Sequence, residues 1–296
     1  MTFGSLFSGI GGFDLGFEKA GLQCRWQVEN DISCQVILEK HWPDVKRFGD
    51  IREITGKEME PVDVICGGFP CQDLSVAGRR VGLSAARSGL FYELLRIVSE
   101  TRPRWFIIEN VPGLLSSNQG RDMGAVIGSL AKLGYGIAWR VLDAQYFGVP
   151  QRRRRVFIAG HLGDIRSATE VLFESDECQV PVAKSRQKGD KVIDAIDSRA
   201  KNDSVISRTL TDSRKTSMLD VIDYILTDKG IRIFTHLERE RLQGFPDGWT
   251  LPYCIDGLEV EITDTARYRL LGNAVAVPVA EWIGKRLKKG GDAISK

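Results

Sequence analysis

No stretch of this sequence is apolar for long enough to span a bilayer. Met1-Thr2-Phe3-Gly4 lacks a basic segment followed by an apolar one, so no secretory leader is expected and cytoplasmic residence is the default. The six cysteines (Cys24, Cys34, Cys66, Cys71, Cys178 and Cys254) form no C-x-x-C pair, which argues against a zinc site and leaves buried or free thiols as the ordinary expectation. An excess of either charge is missing as well. The formal net charge is +2, so a nucleic-acid partner must be met by local clusters of charge. No internal repeat is visible. The glycine run Phe7-Ser8-Gly9-Ile10-Gly11-Gly12 is not a G-x-G-x-x-G, because Asp14 takes the third glycine's place, and dinucleotide binding is disfavoured.

What is present is an alternation. Strand-like runs at Thr2–Phe7, Cys24–Glu29, Asp63–Cys66, Trp105–Ile108, Ile137–Leu142 and Val156–Ala159 are interleaved with helix-like stretches at Ile10–Gly21, Ile32–His41, Ser88–Thr101 and Met123–Leu133. This predicts an α/β fold, a mostly parallel sheet with helices on both faces and ligands at the carboxyl ends of the strands. From Leu162 to Gly230 the pattern changes. That stretch holds two aromatics, Phe173 and Tyr224, with 11 Lys/Arg against 13 Asp/Glu, and reads as a separate small lobe or a long excursion. Helical character returns at Arg239–Gln243 and Val275–Lys288. Length of 296 residues suits one large domain, 1–161 with 231–296, and a smaller appendage at 162–230.

Residues with chemistry fall at the predicted strand ends. The glycine loop lets a ligand approach the backbone closely. Glu29 closes the second strand, where a carboxylate can accept two ribose hydroxyls. Asp50 follows a third extended segment and can accept from an adenine amino group. A nucleoside without a pyrophosphate fits this set better than a dinucleotide. Gly67-Gly68-Phe69-Pro70-Cys71-Gln72 presents a thiol in a defined turn, although a lone cysteine is more often a small buried hydrophobe. The following Asp73–Ser84 segment, with Arg79 and Arg80, reads as a cationic lid. Glu109 ends the apolar run Phe106-Ile107-Ile108, so its carboxyl is half-desolvated and its pKa is expected to rise toward the acid-catalyst range. A helix cap or surface glutamate is the plain alternative.

These segments, with Glu109-Asn110-Val111, Gln151-Arg152-Arg153-Arg154-Arg155, Arg241-Leu242-Gln243-Gly244-Phe245-Pro246-Asp247 and Gly272-Asn273-Ala274-Val275, stand in the order seen in DNA (cytosine-5) methyltransferases, and the chain resembles that family over most of residues 1–160 and 231–288. The resemblance implies a Rossmann-like sheet, S-adenosyl-L-methionine as cofactor, and double-stranded DNA as partner, with no metal, no membrane and a monomer. It implies Cys71, Glu109, Arg153 and Arg155 as catalytic. It implies Phe7, Gly9, Gly11, Gly12, Glu29, Asp50, Ile51, Pro70, Leu90, Asn273 and Val275 as cofactor-binding.

The chemistry follows from cytosine itself. Carbon-5 becomes nucleophilic when a thiolate, Cys71, adds at carbon-6, and a proton from Glu109 at ring nitrogen-3 stabilises the adduct. The base must leave the duplex to be reached. Restriction–modification or prophage DNA protection is the implied setting. The same motifs serve cytosine methylation in RNA, but no Cys-Phe-Thr element of the transfer-RNA branch is present.

Within the arginine run, strand alternation puts Arg153 and Arg155 on one face and Arg152 and Arg154 on the other, with phosphate contacts expected for at least two of the four. Glu238 and Arg241 read as a surface pair, and Phe245 and Trp249 as core. The 162–230 region is short for a target-recognition segment and is not net basic; Arg166, Lys184, Arg186, Lys188 and Lys191 remain candidates for phosphate contact.

Overall fold

The computed structural model describes residues 1–70, 89–173, 224–227, 230–251, 253–255, 258–260 and 262–293. The body is a seven-stranded sheet built from β1 (Thr2–Leu6), β2 (Gln23–Val28), β3 (Lys46–Phe48), β4 (Val64–Gly68), β5 (Trp105–Asn110), β6 (Tyr135–Asp143) and β7 (Arg154–Leu162), in the order β3-β2-β1-β4-β5-β7-β6. All neighbours pair in parallel up to β5. Strand β7 then runs against both β5 and β6. The mostly parallel α/β expectation holds; the reversed strand carries no signal in the apolar pattern.

Strand β5 shows why its sequence reads as an unbroken apolar run. Phe106 and Ile108 point to one core with Phe91, Leu94, Val126 and Leu130 of α3 (Leu90–Thr101) and α4 (Arg121–Lys132). Trp105 and Ile107 point to the other, with Phe13 and Phe17 of α1 (Gly12–Lys19). A strand covered on both faces has no polar side to alternate with. Helix α2 (Ile32–His41) starts where the Asp31 carboxylate accepts from the Ser33 and Cys34 amides, and it stops before Pro43.

Helix α5 (Ile165–Leu172) departs from the expected lobe. It puts Ala168, Val171 and Leu172 among the buried residues, and Val171 and Leu172 join the same core as Phe157. The main body therefore runs on to Phe173. Residues 174–223, most of the stretch assigned to target recognition, lie outside the described residues, including Lys184, Arg186, Lys188 and Lys191. Two hairpins follow, β8 (Tyr224–Thr227) with β9 (Gly230–Ile233), and β10 (Tyr253–Ile255) with β11 (Leu258–Val260).

The chain then returns to its beginning through α6 (His236–Gln243), α7 (Asp264–Asn273) and α8 (Val277–Ala293). Glu238 does not pair with Arg241. It caps α6 at Thr235 and is bridged by Arg232, while Arg241 is bridged by Asp247, because the capping geometry turns the Glu238 side chain back toward the helix start. Phe245 and Trp249 are buried as expected.

Helix α8 lies on α1 at near backbone contact. A Cβ at Gly16 would come within 2.5 Å of the Ala280 Cβ and 2.8 Å of the Val277 carbonyl. Gly16→Val is expected to force the helices apart and cost about 2–3 kcal/mol. In α4, a Cβ at Gly128 meets nothing within 4 Å, so Gly128→Val should cost far less; paired thermal melts check the difference.

Asp14, in the first turn of α1, is fully buried, and burial pushes its carboxyl up to about 6 against the opposing hydrogen bonds of Gln27 and Ser5. The folded state thus holds this proton to higher pH than the unfolded chain. The corresponding stability is present below pH about 4 and is lost as pH rises toward about 6. Denaturant titrations across that window should show this slope in the native protein and its absence in Asp14→Asn.

Candidate active site

A cavity of about 750 Å³ opens at the carboxyl ends of β1, β4 and β5. One wall comes from the first half of the chain: Phe7–Gly9 and Gly12, Glu29–Asp31, Gly49–Ile51, and Leu90 at the start of α3. The opposite contribution comes from the C-terminal return, Arg269, Leu270 and Gly272–Val275. Gly68–Pro70, Glu109–Val111 and Arg155 complete it.

The glycine loop is left-handed at Phe7 (φ 53), Gly9 (φ 57) and Gly11 (φ 83). Phe7 is not a glycine, so its strained backbone is held by its surroundings: the Ser8 amide donates to the Val28 carbonyl at 3.1 Å and the Gly9 amide to Glu29 Oε2 at 2.8 Å. At Gly12 the glycine loop touches the segment that follows α7. A Cβ there would lie 2.5 Å from the Val275 carbonyl oxygen.

Glu29 uses its second oxygen to accept from the Asp31 amide at 2.8 Å, and burial raises its pKa against those backbone donors. Asp50 caps the turn at Ile51–Glu53 and pairs with the Arg52 guanidinium, which with the Arg52 amide holds its carboxyl down to about 2. It presents a fixed negative acceptor. Ion pair Asp31–Arg269 (2.7 Å) ties α2 to α7 across the cavity lining.

The arginine run divides by burial, although Arg152 and Arg153 precede β7 and strand alternation does not govern them. Arg155 Nε lies 2.9 Å from Glu109 Oε1. Glu109 is buried, and desolvation raises its pKa while Arg155 and then Arg153 oppose the rise. Arg153 is 2% exposed and does not reach the cavity. Its Nη2 donates to the Gly272 carbonyl at 3.0 Å and the Ala274 carbonyl at 2.7 Å. Arg152 and Arg154 are exposed. A phosphate contact by Arg153 is therefore ruled out by burial, which leaves Arg152 and Arg154 as the candidates on the exposed face.

Of the residues expected from the sequence, Phe7, Gly9, Gly12, Glu29, Asp50, Ile51, Pro70, Leu90, Glu109, Arg155, Asn273 and Val275 line this one cavity. Gly11 does not; it is the N-cap of α1. Cys71 and the Asp73–Ser84 segment lie outside the described residues, immediately after Pro70 in the chain. Among the described residues no cluster of three His, Cys, Asp or Glu side chains is arranged for a metal, and no helix is long and apolar enough to cross a membrane.

Several supporting residues escaped the sequence reading. Asn110 Nδ2 donates to the Phe69 carbonyl at 2.8 Å, which anchors the backbone that leads to Cys71. Gln243 Nε2 donates to the Leu271 carbonyl at 2.7 Å and Gln151 Nε2 to the Leu242 carbonyl at 2.9 Å. Gln243 and Arg153 together clamp the turn that carries Asn273, and Gln151 ties the Arg153 segment to α6. Side-chain donors to distant carbonyls leave no spacing signature; their location inside the motifs was the available clue. Arg153→Ala strands two buried carbonyls and is expected to cost about 3–5 kcal/mol, in the range for breaking a buried charged network. Equilibrium unfolding by denaturant measures it.

The sequence matches the family described as C-5 cytosine-specific DNA methylase over residues 1–216 and 166–289. It is 34% identical to the Type II methyltransferase M2.BsuMI of Bacillus subtilis (strain 168), across 100% of this chain and 77% of the relative. Identity to M.HpaII of Haemophilus parainfluenzae is 30%, across 97% of this chain and 89% of that one. Among solved structures, the fold matches a mutant of Spodoptera frugiperda DNMT2 with a TM-score of 0.70 at 19% identity, covering 97% of this chain and 99% of that chain. The family match and the coverage of these relatives place the chain in the C-5 cytosine-specific DNA methylases.

Proposed function

We propose that the protein is a DNA (cytosine-5-)-methyltransferase that uses S-adenosyl-L-methionine to methylate carbon-5 of a cytosine flipped out of duplex DNA. The observation that carries this reading is the meeting, in one cavity, of a buried Glu109, paired with Arg155, and the nucleoside-type acceptors Glu29 and Asp50. The relatives named as Type II methyltransferases support a role in restriction–modification or a similar protection of DNA. Cytoplasmic residence and a monomeric state belong to the same proposal.

The cavity fits the cofactor on its own chemistry. Glu29 and Asp50 offer acceptors for ribose hydroxyls and an adenine amino group, and Phe7, Ile51 and Leu90 offer apolar surface. A Cβ at Gly9 would meet no protein atom within 4 Å, so the glycine leaves the loop's inner side open. Gly12, Pro70, Asn273 and Val275 complete the holding set, with Gly11 shaping the turn. When bound, S-adenosylmethionine supplies an electrophilic methyl group.

The chain's own residues do the rest. The Cys71 thiolate adds to cytosine carbon-6, and electron density moves through the ring to carbon-5. Glu109 delivers a proton to ring nitrogen-3 as that addition proceeds; burial raises its pKa, which favours the protonated form that can donate. Arg155 keeps the Glu109 carboxyl oriented and offsets its charge. Arg153 acts one step removed, by holding the Gly272–Ala274 backbone. After methyl transfer, loss of the carbon-5 proton and expulsion of the thiolate restore the ring and Cys71. Residues 1–173 and 231–293 form the catalytic body in this reading, and the intervening stretch is assigned to target recognition. Arg152 and Arg154 contact DNA phosphates.

Labelled S-adenosylmethionine, offered separately with duplex DNA and with transfer RNA, tests the substrate. Label at cytosine carbon-5 of DNA is expected, and label confined to RNA overturns the reading. Cys71→Ser should lose turnover and keep cofactor binding. Glu109→Gln should lower kcat by about 10²–10⁴-fold with cofactor affinity unchanged. Arg154→Ala should weaken DNA binding on all sequences alike and reduce the salt slope by about one unit, read from binding at several ionic strengths.

A further inference from the structure

Three strands bring their ends to the cavity: β1 delivers Phe7–Gly9, β2 delivers Glu29 and β3 delivers Asp50. Just upstream of those ends, inside the protein, four polar side chains join the same three strands to α1. Ser5 of β1 donates through Oγ to Asp14 Oδ2 at 3.0 Å. Gln27 of β2 donates through Nε2 to Asp14 Oδ1 at 2.9 Å. Arg47 of β3 reaches Gln27 Oε1 at 3.5 Å from Nη1, and the same nitrogen donates to the Trp42 carbonyl at 2.6 Å. A second guanidinium nitrogen of Arg47 is bridged to Glu39. The Cys24 thiol adds a weak donor to Asp14 Oδ1 at 3.7 Å.

Asp14 and Gln27 are completely buried and Ser5 nearly so. Such a carboxyl is costly to bury, as its raised pKa records. A packed core alone would be served as well by an apolar residue at that point of α1. What the carboxyl can do here is accept from two strands at once, each hydrogen bond acting one or two residues before a cavity-lining segment. A buried polar network that is fully satisfied fixes one relative arrangement of its members, whereas apolar packing tolerates sliding.

We propose that Asp14 is a positioning residue for the cofactor: its carboxyl links β1 and β2 directly, and β3 through Gln27 and Arg47, so that Phe7, Glu29 and Asp50 converge on a single ligand. This rests on the S-adenosylmethionine reading above. Asp14 does not line the cavity and does not touch the ligand. The inference concerns geometry, and its signature is an affinity for the cofactor that depends on an acceptor at position 14.

The test is isothermal titration of full-length protein with S-adenosylhomocysteine, alongside steady-state kinetics in S-adenosylmethionine. Asp14→Ala leaves Ser5 and Gln27 without their acceptor. It is expected to raise Kd and the cofactor KM by about tenfold, with kcat at saturating cofactor within about twofold of the native value. Asp14→Asn keeps an acceptor for Gln27 and can donate to the Ser5 hydroxyl, so its Kd should stay within about threefold. Gln27→Leu cuts the branch to β2 and β3 without touching α1, and should weaken binding by about threefold or more, which keeps the question decidable if Asp14→Ala does not fold. A merely structural role would lower the binding-competent fraction, read as stoichiometry, and leave Kd unmoved. Native affinity in Asp14→Ala, or in Gln27→Leu when Asp14→Ala does not fold, overturns the inference, as does a fall in kcat with Kd unchanged. Failure of the native protein itself to bind S-adenosylhomocysteine instead sinks the cofactor reading, and this inference with it.

Discussion

Arg153 is a guanidinium with little access to water, and the site exists because of where it was buried. Taking that charge out of solvent is expensive, and burial brings its pKa down to about 9, with Arg155 adding to the fall and Glu109 opposing it. The return is positional. Two carbonyls of the Gly272–Ala274 turn, more than a hundred residues away in sequence, are held at 3.0 and 2.7 Å. Gln243 holds the preceding carbonyl of Leu271, and Gly12 lies against Val275. Remove the guanidinium and the wall carrying Asn273 loses its anchor to the sheet.

The same electrostatics shape Glu109. Desolvation pushes its pKa up, and the charges of Arg155 and Arg153 pull it down. Burial is the larger influence, so the pKa rises, and the arginines limit how far. The reversed direction of β7 makes this pairing possible. Because β7 runs against β5, its start meets the end of β5: Val156 pairs with Asn110 and Phe157 with Glu109, which leaves Arg155, just before the paired stretch, within reach of the Glu109 carboxylate. In a parallel neighbour those positions would sit at the far edge of the sheet.

Much of this was legible in the residues. The apolar runs marked the strands because a doubly covered strand has no polar face, and Asp31 and Pro43 bounded α2 by capping and by the missing amide. Ordered motifs located the cavity, whereas strand alternation grouped Arg153 with Arg155 although only Arg155 reaches the cavity. What was not legible was long-range. Nothing local tells that β7 reverses, that Ile165–Leu172 packs on the main sheet, or that Glu238 turns to Thr235 and Arg232 and leaves Arg241 to Asp247. Asp14 was visible only as an interruption of a glycine pattern; its partners, Ser5 and Gln27, are ordinary strand residues whose meaning comes from the sheet order β2-β1-β4.

The seat of α8 against α1 bears on how the protein is made. Synthesis delivers the glycine loop, Glu29, Asp50 and Glu109 well before Asn273 and Val275. Until that later segment has left the ribosome, the groove of α1 around Gly16 has no helix to fill it and the cavity lacks a wall. A nascent chain therefore carries the reactive groups without a closed chamber around them. The cavity gains its second wall only when α8 seats on α1.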